Sequence, residues 1–115
     1  MRKGNPDFMN GVPELLILKL LATRELYGYE LVQLIRERTN DAIQLGEGVV
    51  YPSLHSLEAE GSLKSKRKTV NGRSRIYYSV TKDGLSKLAQ IAGVWSGVTR
   101  AVQDVLGGEN HAFAL

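Results

Sequence analysis

The chain has 115 residues, of which 43% are hydrophobic, and a mean hydropathy of -0.18, values that suit one folded domain and leave little room for two. No apolar run approaches the roughly 18 residues of a membrane span, and the lack of cysteine excludes disulfides and thiolate metal sites. The net charge is +3, and the polar first ten residues lack the apolar stretch of a secretory signal, so we expect a cytoplasmic protein with no membrane partner.

Three helices are predicted in the first half of the chain. The first, Val12–Thr23, is apolar nearly all round and should be buried on more than one side. The second, Leu26–Arg38, has apolar residues at helical spacing and a polar opposite face. The third, Val49–Glu60, contains Pro52, which we expect in its first turn, and Gly61 should end it as a C-cap.

A β-hairpin and one long helix are predicted to follow. Ser62–Arg67 and Arg75–Val80 alternate like strands, and Asn71-Gly72 between them is the strongest short hairpin signal. Thr81 is a good N-cap for a helix from Lys82 to about Leu106.

This order of elements predicts an α+β, mostly α, fold: a winged helix-turn-helix with a long C-terminal dimerisation helix. In one domain over residues 1–115, we assign 12–80 to a DNA-binding region, 81–107 to the dimerisation helix and 108–115 to a flexible tail.

The predicted hairpin is strongly basic. It carries six cations and no acidic residue between the first and the last of them: Lys64, Lys66, Arg67, Lys68, Arg73 and Arg75. Such a segment suits a polyanion, because neutralised phosphates release their counterions. The alternative is a solvated hairpin that is basic for solubility.

The long helix carries two apolar stripes. One consists of Leu85, Leu88, Ala92, Trp95, Val102 and Leu106, and the other of Ile91, Val94, Val98, Ala101 and Val105. A monomer needs only one, so the second should pack on another subunit, in a homodimer. Alternatively, the helix folds wholly into its own small core.

Several motifs in a shared order resemble the PadR family of transcriptional regulators. They are Gly28-Tyr29-Glu30-Leu31, Gly48-Val49-Val50-Tyr51-Pro52-Ser53-Leu54, Leu57-Glu58, Gly61, Gly72-Arg73, Tyr77-Tyr78, Thr81, Gly84 and Trp95. The resemblance implies a winged-helix dimer that binds double-stranded DNA and represses transcription until a phenolic or drug-like molecule relieves it. The chain departs from the family pattern at Val49-Val50, where Thr-Leu is usual, which leaves the helix cap to Glu47 or Gly48.

The resemblance also implies which residues meet DNA. Tyr51, Ser53, His55 and Ser56 would lie on the exposed face of the recognition helix, where such side chains serve phosphates or base edges. In the wing, the best phosphate or minor-groove candidates are Lys66, Arg73 and Arg75. The alternatives are that Tyr51 packs against the hairpin and that His55 is merely solvated.

Trp95 is flanked by two glycines in the predicted long helix, and each of them weakens a helix by about 1 kcal/mol relative to alanine. Close helix approach would explain Gly93 and Gly97. The resemblance offers a second explanation, in which Trp95 stacks on a flat aromatic ligand between subunits.

An enzyme is disfavoured, and we expect no catalytic residues, cofactor or metal. His55 and Glu58 lie one helical turn apart but lack a third ligand, and neither a nucleophile elbow nor a glycine-rich phosphate loop occurs. Glu58 is better interpreted as structural, paired with a nearby base. The competing function is a winged-helix protein-interaction module that binds an acidic partner through the same hairpin.

Overall fold

Four helices and a small antiparallel sheet make up the computed structural model, which describes residues 11–107. The elements are α1 Val12–Leu21, β1 Leu26–Tyr27, α2 Gly28–Arg38, α3 Glu47–Ala59, β2 Leu63–Val70, β3 Arg73–Val80 and α4 Lys82–Leu106. The sheet order is β1-β3-β2. The predicted fold class, mostly helical with a basic hairpin and a long last helix, is confirmed.

Two expectations fall on other residues. The predicted tail 108–115 and the first ten residues, on which the secretory-signal expectation rests, lie outside the described residues. Within residues 11–107, no helix is both long enough and apolar enough to cross a membrane.

The core lies where α1, α2 and α3 meet beneath the sheet. α1 contacts α2, α3, α4 and β3, which confirms that it is buried on more than one side. Fully buried side chains come from each of the first three helices: Ile17, Leu18, Leu31, Ile35, Val50, Leu54 and Leu57. This packing holds α3 firmly against the body while leaving its other side open.

The second helix begins later than predicted. Leu26 and Tyr27 form strand β1 and pair with Tyr78 and Tyr77 of β3. Tyr27 is extended, with φ -101° and ψ 166°, and its N–H donates to the Glu30 carboxylate at 3.1 Å. The helical prediction was wrong at these two residues because Leu26 is buried through sheet pairing and not through a helix face.

The start of α3 also differs from the prediction. The helix begins at Glu47, so Pro52 lies in its second turn and not in its first. Because proline has no N–H, the Gly48 carbonyl loses its helical partner, and Gly48 is exposed to solvent. The N-cap is Gly46, whose carbonyl accepts from the Val50 N–H at 3.0 Å, so the expected cap at Glu47 or Gly48 was also wrong.

The hairpin turn follows the prediction. Asn71 and Gly72 have φ values of 51° and 77°, the left-handed pair required by a two-residue turn of type I′. The strands extend further toward the turn than predicted, to Val70 and from Arg73, because the ladder continues through polar residues. Gly61, with φ 92°, ends α3 as expected.

Helix α4 begins at the predicted cap, where the Gly84 N–H donates to the Thr81 hydroxyl at 3.0 Å. The two predicted stripes do not separate an inner from an outer face. Leu88 and Ile91 pack against the core, whereas every residue from Gly93 to Leu106 is exposed within the described chain. Burial therefore divides α4 along its length, because the helix projects beyond the body after about three turns.

Candidate nucleic-acid interface

One face of the hairpin collects most of its positive charge. Residues directly opposite in the ladder share a face, and Lys66 stands opposite Tyr77 and Lys68 opposite Arg75. Five cations therefore share this face: Lys64, Lys66, Lys68, Arg73 and Arg75. Arg67 lies on the other face and donates to the Ser74 hydroxyl at 3.2 Å.

Two of these five cations, Lys68 and Arg75, contact other side chains of the same chain. Lys68 forms an ion pair with Glu25, and its Nζ lies 4.6 Å from the ring centroid of Tyr77. The hydrogen bond from Lys68 lowers the pKa of the Glu25 carboxyl. The Arg75 guanidinium stacks 4.2 Å above the ring of Tyr27. The candidate Arg75 is therefore held in place by an aromatic ring and is only partly exposed.

The remaining wing candidates, Lys66 and Arg73, have exposed side chains. Arg73 directly follows the turn and Lys66 lies in the middle of β2, so the two are separated along the hairpin. Long, exposed cationic side chains such as these can reach a backbone phosphate and donate hydrogen bonds to it.

The four candidates on α3 do not share one exposed face. Val50, Leu54 and Leu57 face the core, and His55 and Ser56 lie on the exposed side. Tyr51 and Ser53 are partly buried on opposite flanks of the helix. The prediction of one exposed face was therefore wrong for Tyr51 and Ser53, because the core occupies a wider arc of this helix than its leucines alone indicate.

Tyr51 packs against α2 and is only partly exposed to solvent. A Cβ atom built on Gly28 would lie only 2.5 Å from the Tyr51 Cζ, so the ring occupies the space above this glycine. Burial, with a further contribution from Glu47, raises the pKa of the Tyr51 hydroxyl. The alternative expected Tyr51 to pack against the hairpin, whereas the close contact in the structure is with Gly28 of α2.

A groove of about 420 Å³ lies between α3 and the hairpin. His55 and Tyr51 from α3 line it together with Arg73 and Arg75 from β3, so four of the predicted site residues meet there. Ser53, Ser56 and Lys66 lie outside it. Phenolic hydroxyls, an imidazole and two guanidinium groups are donors suited to an anionic backbone.

Sequence reasoning missed Tyr29, which also lines this groove. Tyr29 is 49% exposed at the start of α2, and its hydroxyl accepts from the Gln33 Nε2 at 2.9 Å. The signal was present in the motif Gly28-Tyr29-Glu30. Its position beside α3 depends on the packing of Gly28 under Tyr51, which the sequence does not reveal.

Glu58 is structural, although its partner is a hydroxyl and not the expected base. The Ser65 hydroxyl of β2 donates to the Glu58 carboxylate at 2.6 Å, which ties α3 to the wing. Across residues 11–107, no three histidine, aspartate or glutamate side chains group as metal ligands.

Trp95 lies on the projecting part of α4 and is 39% exposed. Together with Ser96, Thr99, Arg100 and Gln103 it lines a shallow depression with a volume of about 460 Å³. A Cβ atom at Gly93 or Gly97 would meet nothing within 4 Å, so no contact within the described chain requires these glycines.

Comparisons with known proteins point in one direction. Residues 17–90 match the model of the transcriptional regulator PadR-like family. Transcriptional regulator Rv3488 of Mycobacterium tuberculosis is 33% identical over 105 residues, which are 91% of this chain and 92% of that protein.

Two solved structures have similar folds. A transcriptional regulator from Clostridium thermocellum superposes with a TM-score of 0.79 at 27% identity, covering 88% of this chain and 99% of that chain. A PadR family transcription regulator from Clostridium difficile R20291 gives a TM-score of 0.75 at 29% identity, with coverages of 84% and 100%.

Proposed function

This chain belongs to the PadR-like family of transcriptional regulators, and on that premise we propose that it is a dimeric repressor that binds duplex DNA and releases it for an aromatic ligand. Members of the family are transcriptional regulators and not enzymes, they bind DNA, and they are typically dimeric. The repression, the ligand and the residue roles below are our proposals.

The groove between α3 and β3 carries the proposal for DNA. Its His55 and Arg73 belong to two elements that a winged helix applies to one duplex. We assign α3 to the major groove, with His55 and Ser56 toward the bases and Ser53 toward a flanking phosphate. The hairpin follows the backbone through Lys66, Arg73 and Arg75, and Tyr51 and Tyr29 border the groove between them.

The apolar face of α4 supports the dimer. Leu88 and Ile91 pack against the body, and the same helical face continues outward as Trp95, Val98 and Val102. The spacing of three and four residues extends to Val105 and is that of a helix packed against another helix. Val98 is 51% exposed and Val105 is 85% exposed, so this apolar face is available for packing against a second copy of the chain. We therefore assign 12–80 to DNA binding and 81–107 chiefly to dimerisation.

Trp95 supports the ligand. Its exposed ring lies on the apolar face of α4, and a two-fold arrangement of two such faces would bring two of these rings together. A flat aromatic molecule that stacks on indole fits this surface. The plain alternative is that Trp95 only packs against the partner subunit and binds no ligand.

A protein-interaction module with an acidic partner would use the same basic face of the hairpin. Family membership favours duplex DNA as the polyanion. Selection of a random duplex library with the purified chain separates the two. We expect enrichment of an inverted repeat, whereas a pool that stays unenriched after several rounds would contradict DNA recognition and leave the acidic-partner reading.

A further inference from the structure

Gly61, Thr81 and Gly84, which belong to the family motifs, lie close together where α3 ends and where β2 and α4 begin. The Thr81 hydroxyl donates to the Gly61 carbonyl at 2.6 Å, and the Thr81 N–H donates to the Ser62 carbonyl at 3.0 Å. The same hydroxyl accepts from the Gly84 N–H. The first turn of α4 is thus hydrogen-bonded to the segment that leaves the recognition helix. We call the set Glu60, Gly61, Ser62, Thr81, Gly84 and Lys87 the α3–α4 joint.

Gly84 allows the closest approach in the joint. It is buried, and a Cβ atom there would overlap the Ser62 carbonyl oxygen and lie 2.6 Å from the Val80 Cγ2. Because the first of these is a backbone atom, no side-chain rotation relieves the overlap. Any larger residue must push α4 away from the end of α3.

Lys87 lies one turn further along the same side of α4. Its Nζ forms ion pairs with the Glu60 carboxylate and with the Glu14 Oε1, the latter at 3.2 Å. The Ser62 hydroxyl also donates to Glu60 at 2.7 Å. Lys87 thereby ties α4 to the residue that caps α3 and to α1, and the hydrogen bond to Glu60 raises the pKa of the Lys87 ammonium.

A change of angle at the joint becomes a larger displacement further along α4. At a rise of about 1.5 Å per residue, Val98 lies roughly 21 Å along α4 from Gly84. A tilt of about 10° at Gly84 would therefore displace the recognition helix by roughly 4 Å relative to the dimer contact, close to the rise of about 3.4 Å per base pair. A small change in the joint angle is thus large on the scale of DNA.

We propose that the α3–α4 joint sets the spacing between the two DNA half-sites, with Gly84 and Lys87 as its positioning residues. The inference rests on the proposed function, because spacing matters only to a dimer that reads two half-sites. Neither residue lies on α3 or the hairpin, so neither is assigned a contact with DNA.

The test uses the full chain and duplexes that carry the two selected half-sites at the selected spacing and at one or two base pairs more or fewer. Affinity is measured for the unaltered protein and for Lys87→Met, Lys87→Arg and Gly84→Ala. Lys82→Met is the matched control, because it removes the same charge from an exposed position on the first turn of α4. Dimer content and thermal unfolding are measured for each protein.

We expect the unaltered protein and Lys82→Met to favour one spacing by about tenfold or more, a factor typical of one lost base contact. Lys87→Met should reduce this preference to less than about threefold while it remains a folded dimer, and Lys87→Arg should restore most of it. Gly84→Ala should shift or abolish the preferred spacing.

The proposal is overturned if Lys87→Met keeps the unaltered spacing profile, or if the unaltered protein binds all spacings equally. If Gly84→Ala or Lys87→Met does not fold, Glu60→Gln, which removes the charge that Lys87 meets, decides in the same assay. Failure of the unaltered protein to bind any selected duplex would instead contradict the proposed function itself.

Discussion

The ring of Tyr51 on α3 lies directly over Gly28, the first residue of α2. A Cβ atom at position 28 would come 2.7 Å from the Tyr51 hydroxyl oxygen, so the recognition helix approaches α2 only because this residue is glycine. The contact sets one wall of the groove that joins α3 to the wing.

Gly28→Ala should therefore destabilise the chain by about 1–3 kcal/mol, because overpacking displaces the Tyr51 ring. Urea unfolding measures the effect, and Gly48→Ala in the exposed first turn of α3 is the matched control, which should not destabilise. In a Tyr51→Ala background the cost of Gly28→Ala should largely disappear. An equal cost in both backgrounds would show that the two residues do not interact.

In the wing, Lys66→Ala and Lys68→Ala should differ although both remove one positive charge. Lys66 is exposed, whereas Lys68 is paired with Glu25. Lys66→Ala, like Arg73→Ala, should weaken binding about equally for all duplex sequences. Because log affinity falls with log salt, loss of one phosphate contact should make this negative slope shallower by about 0.9. Fluorescence anisotropy at several salt concentrations measures this, with Lys68→Ala changing the slope less. Unchanged binding of both Lys66→Ala and Arg73→Ala would remove the wing from the mechanism.

On the recognition helix, His55→Ala should relax discrimination between the selected duplex and a scrambled one by about 1–3 kcal/mol if one base contact is lost. Ser56→Ala, on the same exposed side, should do likewise, and Ser53→Ala should weaken both duplexes together because Ser53 lies on a flank. Competition binding gives the ratio for each variant. If neither His55→Ala nor Ser56→Ala changes it, the bases are read by other residues.

The dimer prediction concerns the projecting part of α4. Val98→Glu should bury an unpaired carboxylate between the subunits and shift the dimer toward monomer. Ala89→Glu, on the opposite side of the same helix, should leave the dimer intact. Sedimentation velocity over a concentration series measures both variants. A stable Val98→Glu dimer would contradict the assignment of this face of α4 to the dimer contact.

Binding of a flat aromatic molecule should quench the fluorescence of Trp95, the only tryptophan. Quenching alone does not establish regulation, because a ligand with equal affinity for both forms shifts no equilibrium. The ligand dissociation constant should therefore rise in saturating selected duplex by the same factor as the ligand weakens DNA binding. A broad aromatic panel with no binder, or binding that ignores DNA, would return Trp95 to a packing role.

Local chemistry made much of the fold predictable. Asn71-Gly72, Thr81 and Gly61 each act through backbone conformation or a cap within a few residues, and each lies where it was expected. Strand β1 escaped prediction because two residues become a strand only by pairing with Tyr77 and Tyr78, some fifty positions away.

The site was less predictable because its contacts are long-range. The Glu25–Lys68 pair and the Gly28–Tyr51 contact join residues that no periodicity relates. They decide that Lys68 is engaged within the chain and that the Tyr51 ring is partly buried. The division of α4 was missed for another reason. A helical pattern gives the angle of each side chain around the axis, and says nothing about where along that axis the rest of the molecule ends.

The central claim is that two copies of this chain read one duplex through α3 and the hairpin. It is tested most directly by titrating the selected inverted repeat and a scrambled duplex with the protein at physiological salt, with the complex mass determined by light scattering. We predict two chains per selected duplex, affinity that falls with added salt, and at least about 10³-fold preference for the selected sequence. One chain per duplex, or equal affinity for both sequences, would contradict the account.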